Sequence, residues 1–211
     1  MRRVNVQRQS DRRAEILDAA ERCFARSGFH QASMQEICAE AGMSPGNLYR
    51  YFPSKEALIE GISERNRVQA AADFAAVDRA PDFFTGFATL GRQYLVERTD
   101  EELALCLEIM AEARRNPEVR RIYQSIDSEV RDGLVAVLRR AAERGELRSD
   151  LDLGKIVKVL LALGDGIESR RAIDPSFDPE SVIDIVLDIV RYLLTDSVPA
   201  RSKVKERSHE G

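Results

Sequence analysis

Asn47, Tyr49, Arg50 and Tyr51 follow closely on one another and supply an amide, two phenols and a guanidinium. Such groups hydrogen-bond to base edges and phosphate oxygens. An amide pairs with N6 and N7 of adenine, so Asn47 is the expected base reader, with a solvated polar position as its plainer role. Arg50 can address guanine in the same way, point to solvent or bind phosphate. Residues 33–52, SMQEICAEAGMSPGNLYRYF, must hold these groups in place. The stretch reads as two short helices joined by a tight turn. Ser33 is placed to cap the first, whose Ile37 and Ala41 fall one turn apart on a buried face. Ala41, Gly42 and Met43 make the turn, with Gly42 where a chain leaving a helix needs positive φ. Ser44 is placed to cap the second helix, Pro45 takes its first position, and Leu48 and Phe52 point inward. A short polar-faced helix entered from a glycine turn has the makings of a DNA-recognition helix, although the same spacing serves ordinary helical corners.

Charge favours the DNA reading. Residues 1–55 carry nine basic side chains (Arg2, Arg3, Arg8, Arg12, Arg13, Arg22, Arg26, Arg50, Lys55) against six acids (Asp11, Glu15, Asp18, Glu21, Glu36, Glu40). That is a net +3 in a chain of net −4, so the remainder carries −7. A basic first quarter on an acidic body suits a polyanion-binding head carried by something that does not bind nucleic acid.

The 211 residues fit one or two compact domains, and 44% hydrophobic with 32% charged residues describes a soluble globular chain. No apolar run approaches the length of a membrane span, and the basic start MRRVNVQRQSDRR lacks the apolar stretch of a secretion signal. A cytoplasmic location is the expectation. Cys23, Cys38 and Cys106 are odd in number and without C-x-x-C spacing, which reads as buried reduced thiols, with a redox sensor at Cys106 as the alternative. His30 and His209 are the only histidines, too few for a His-based metal cluster or a Ser-His-Asp triad. No P-loop, dinucleotide fingerprint or H-E-x-x-H occurs, and carboxylates such as Glu108 and Glu112, at i and i+4, are what an all-helical enzyme could use.

The pattern is helical from end to end, which predicts an all-α fold of about nine helices. Residues 1–9 read as a basic arm, and Ser10 or Asp11 as the cap of a first helix carrying Ile16, Leu17, Ala20 and Phe24 and ended by Gly28. Pro53 stops the recognition helix, and a long helix then runs from Ser54 to about Val77. Four more helices are predicted across residues 81–172, with Asn116-Pro117 and Gly145 as breaks. In the last helix, expected over residues 179–195, Val182, Val186, Ile189 and Leu193 form one stripe, and Ile183, Leu187, Val190 and Leu194 a second. The preceding helix is similar, with Ile156, Leu160, Leu163 and Ile167 backed by Val157 and Leu161. One stripe suffices for packing within a subunit, so the surplus predicts a four-helix interface with a second copy through Ile156, Leu160, Leu163, Val182, Val186, Ile189, Val190 and Leu193. Burial on two sides inside one subunit is the other reading. Residues 199–211 read as a polar, frayed tail.

Ile16-Leu17-x2-Ala20-x3-Phe24, then Gly28-Phe29, then Leu48-Tyr49-Arg50-Tyr51-Phe52-x2-Lys55-Glu56-x-Leu58 closely resemble the DNA-binding domain of the TetR family of transcriptional repressors. The resemblance spans about residues 11–60. Asn-Pro-Glu-Val-Arg-Arg at 116–121, Arg144-Gly145-Glu146-Leu147 and Gly164-Asp165-Gly166 resemble, more loosely, the C-terminal domain of BetI-like members. The resemblance implies a DNA-binding head over residues 1–55 and a helical ligand-binding and dimerisation body over 56–198. It implies a homodimer on a palindromic operator, most simply a repressor, released by a small-molecule effector and needing no cofactor or metal. Carried over to this chain, Ser44, Pro45, Asn47 and Tyr51 lie nearest the bases, Tyr51 standing where the family often has histidine. Tyr49, Lys55, Ser33 and Met34 grip phosphates, and Arg12 and Arg13 reach phosphate or the minor groove. The expected effector lining is Phe84, Phe87, Tyr94, Cys106, Met110, Tyr123, Asp127, Leu160, Leu163 and Ile167. Glu108, Glu112, Asp127 and Asp165 would suit a cationic effector if they face inward. Control by thiol oxidation or by a protein partner is the alternative to an effector.

Overall fold

The computed structural model describes residues 2–195, so the expected tail at 199–211 lies outside the described residues. The described chain folds into nine α-helices and no strand. The head comprises α1 (Arg2–Gln31), α2 (Met34–Glu40) and α3 (Pro45–Tyr51). The long α4 (Lys55–Arg79) leads into a body of α5 (Phe83–Leu95), α6 (Asp100–Ala113), α7 (Pro117–Glu143), α8 (Leu153–Ile173) and α9 (Ile183–Thr195).

Most boundaries follow local chemistry. Ser33, Ser54, Asp82, Thr99, Asn116 and Asp152 cap α2, α4, α5, α6, α7 and α8 by accepting backbone N–H bonds, and Thr99 with Glu102 forms a full capping box. Gly145 leaves α7 with φ 77°. Two expectations need correcting. Residues 2–9 of the expected arm are part of α1, because no Gly or Pro interrupts the run before Ser10 and Asp11, which therefore lie inside the helix rather than capping it. The last helix begins at Ile183, four residues later than Pro179, because a turn closed by Ile183 N–H on the Pro179 carbonyl (3.0 Å) fills the interval. Val182 therefore sits ahead of α9.

Two apolar cores divide the molecule. The first gathers Ile16, Ala20 and Phe24 of α1, Ile37 of α2 and Leu48 of α3, and continues through Leu58 and Ile62 of α4 into Leu105, Val119 and Ile122 of α6 and α7. The second joins Val77, Phe83, Leu90, Val137, Leu138, Val157, Val190 and Leu194 in the body. The head thus packs directly on the body. Arg171 of α8 donates to the carbonyls of Val96 (2.8 Å) and Arg98 (2.5 Å), satisfying groups that the end of α5 leaves bare.

Candidate functional site

The recognition surface is built as its residue types dictate. Leu48 and Phe52 are buried and anchor α3, and Gly42 takes φ 59° in the turn before it. Ser44 occupies the cap position of α3 without a side-chain bond to the helix, which leaves its hydroxyl for another partner. Tyr49 and Arg50 are exposed and Asn47 half-buried. None of Ser44, Asn47, Tyr49 and Arg50 makes a side-chain hydrogen bond or ion pair within the described residues. Glu36 and Glu40 of α2 are paired with Arg26 (2.9 Å) and Arg22 (2.8 Å) of α1, which offsets their charge in the head. Hydrogen bonds from these arginines hold both carboxyls below the usual carboxylate range.

Other expected DNA-contacting residues are already engaged. Ser33 caps α2 through Glu36 N–H (3.1 Å), and Met34 and Tyr51 pack against the head core. Arg12 leans on the Ala41 carbonyl (3.3 Å), while Arg13 stacks 4.4 Å above Phe52 and reaches the Tyr51 carbonyl (3.5 Å). These arginines tie α1 to the ends of α2 and α3. Lys55 donates to the Phe29 carbonyl and lies 4.4 Å over the Phe29 ring.

The expected effector lining separates into two places. Phe84 and Phe87 border a groove of about 230 Å³ between α5 and α9, closed by Leu187, Val190 and Arg191. Tyr94, Cys106, Tyr123 and Asp127 belong instead to a polar network among α4 to α8. Tyr94 donates to Asp73 (2.9 Å), Arg98 lies 4.9 Å over the Tyr94 ring, and Arg98 pairs with Glu168 (2.8 Å). Cys106 donates weakly to Glu168 (3.9 Å), and Asp127 pairs with Arg131. Burial raises the carboxyls of Glu168 and Asp165, the latter aided by Asp127. Burial and these carboxylates push the Cys106 thiol up to about 11 and the Tyr123 phenol to about 12. Leu160 and Leu163 are half-buried on α8, Ile167 is buried, and Met110 is half-buried on α6. Glu108 and Glu112 do not face this space: both turn toward the end of α1. Asp73, Arg98 and Glu168 escaped sequence reading, although a single acid within the Ala-rich run of α4 was a usable signal.

The sequence profile of the bacterial regulatory proteins of the tetR family matches residues 16–62, and that of the BetI-type transcriptional repressor C-terminal domain matches 90–195, half of the chain. The transcriptional regulator UidR of Escherichia coli K12 is 35% identical over 158 residues, 74% of this chain and 79% of that protein. The structure of Salmonella enterica GusR is 33% identical with a TM-score of 0.74, over 87% of this chain and 95% of that one. The chain belongs to the TetR family. A regulator from Saccharomonospora viridis solved in complex with choline has the same fold, with a TM-score of 0.75 at 22% identity over 89% of this chain and 100% of that one.

This TetR-family chain is therefore a helix-turn-helix transcriptional regulator and not an enzyme. Among its described residues no helix is long and apolar enough to cross a membrane. On α9, Ile185, Ile189 and Tyr192 are 61%, 46% and 50% exposed, and Val159 of α8 is exposed too. Val186, Leu193 and Ile156 are half-buried. Val190, expected at an interface between copies, is instead buried in its own subunit, because the helix turns the Ile183, Val190 and Leu194 stripe inward. Ile189 of the expected interface does face out, beside Ile185 and Tyr192, which were absent from it.

Proposed function

We propose that this regulator works as a homodimer on a palindromic operator, as a repressor released by a small-molecule effector. The observation that carries the reading is the set of unengaged polar groups on α3, Ser44, Asn47, Tyr49 and Arg50, on a rigidly packed helix. One such helix presents few contacts, and a twofold pair entering successive major grooves, about 34–36 Å apart, supplies the rest. The exposed apolar residues of α8 and α9 offer the contact for a second copy. Residues 1–55 are the DNA-binding head and 56–198 the effector-binding and dimerisation body. The effector site is the network around Tyr94, Cys106, Tyr123, Asp127 and Glu168, whose carboxylates suit an effector bearing cationic or hydrogen-bond-donor groups. Action on DNA places the protein in the cytoplasm.

The test is binding to upstream DNA, or to duplexes selected from a random pool, followed by footprinting. A palindromic footprint occupied by two chains is expected. A specific footprint without twofold symmetry would remove the dimer, and absence of any specific duplex after selection would remove the operator reading.

A further inference from the structure

We infer that Glu108 and Glu112 of α6 are positioning residues for DNA binding, latching the bend at the end of α1 and so fixing the separation of the two recognition helices. The inference rests on the dimeric reading above. α1 is broken at Gly28, whose φ of 73° and ψ of 160° interrupt the helical ladder. The N–H of Phe29 beyond the break donates to Glu108 Oε2 at 3.2 Å. A Cβ at position 28 would lie 3.1 Å from that same oxygen, so the carboxylate sits against the bend. The other side of the Phe29 residue is held by Lys55, at the start of α4, through its carbonyl. One turn along α6, the Glu112 carboxylate is only 2% exposed and lies 2.8 Å from His30 Nε2 and 3.4 Å from Arg115.

A purely apolar seam would stabilise this junction as well, since buried carboxylates are costly and replaceable. Leu105, Ile109 and Ala113 of α6 already provide such a seam against the head core. Apolar contact is non-directional and permits small slides and rotations. Two carboxylates aimed at consecutive residues, Phe29 and His30, allow one register. The same helix turns Cys106 toward Glu168 in the body, so α6 touches the effector network on one side and the head on the other. A shift of α6 is thereby passed to the head at the bend.

Operator spacing tests this. Affinities are measured for a selected palindromic operator and for versions with one base pair added or removed at its centre. The wild type is expected to lose roughly a hundredfold on altered spacing, since bivalent engagement fails when geometry forbids it. The Glu108→Ala/Glu112→Ala variant is expected to discriminate by no more than about threefold while binding an isolated half-site as the wild type does. The Glu108→Gln/Glu112→Gln variant keeps shape and an acceptor oxygen and should fall between, a partial rescue that simple loss of stability does not produce. Circular dichroism establishes folding, and the Gln variant stands in if the Ala variant does not fold. A folded variant of either kind that discriminates spacing like the wild type overturns the latch. A wild type indifferent to spacing overturns the dimeric reading and the latch with it.

Discussion

At the scale of single residues, function depends on which polar groups are left without a partner. The Asn47 side chain makes no hydrogen bond within the described residues, so Asn47→Ala is expected to cost about 1–3 kcal/mol on the operator and little on scrambled duplex. Titrations against both duplexes decide it, and equal losses would take Asn47 out of base reading. Lys55 is different, since its ammonium is committed to the Phe29 carbonyl and ring. Lys55→Ala should lower stability by about 1–2 kcal/mol and leave the salt slope of DNA binding unchanged. A slope reduced by about one would return Lys55 to the phosphates. The Cys106 thiol, pushed up to about 11, holds almost no thiolate at neutral pH, which argues against a redox sensor. Mild peroxide should therefore leave operator binding intact, and a reversible loss abolished by Cys106→Ser would reverse that conclusion. Asn47 and its neighbours were legible in the sequence because caps and turns are local. Glu108 was not, because its partner Phe29 lies 79 positions away.

Among the elements, α5 shows how a loop acid can hold a helix end. Glu146, in the loop after α7, accepts the Phe83 N–H at the first turn of α5 and pairs with Arg144. The Phe83 bond first, then Arg144, hold its carboxyl below the usual range. Its stabilisation is therefore full above the ordinary glutamate value of about 4.3 and is lost as pH falls through the lowered folded value. Glu146→Gln should lower the melting temperature at pH 7, and the gap to the wild type should close as the pH is taken down through the acid range. A gap independent of pH would show that shape, not charge, matters there. Both stripes of α9 were visible as periodicity. Their assignment, Val190 inward and Ile189 outward, depended on where α5 and α8 lie.

For the whole molecule, the question is how two heads are held. The exposed Ile185, Ile189 and Tyr192 face of α9 should carry the contact between copies, so Ile189→Asp is expected to give a folded monomer. Light scattering at micromolar concentration reads the mass, and operator affinity should fall by roughly a hundredfold or more as bivalency is lost. A dimer of wild-type strength would move the interface elsewhere.

The sequence by itself determined what short-range forces determine: the helix starts at Ser33 and Ser54, the glycine turn at Gly42, the buried anchors Leu48 and Phe52, and the basic head on an acidic body. These rest on contacts within a turn or two of helix, which spacing reveals. The tertiary structure alone decided that Phe84 and Phe87 part company with Tyr94 and Tyr123, that Val190 faces its own subunit, and that Glu108 and Glu112 turn to the head. Those outcomes depend on the rotation of one packed helix against another, and periodicity fixes which residues share a face without fixing what that face meets.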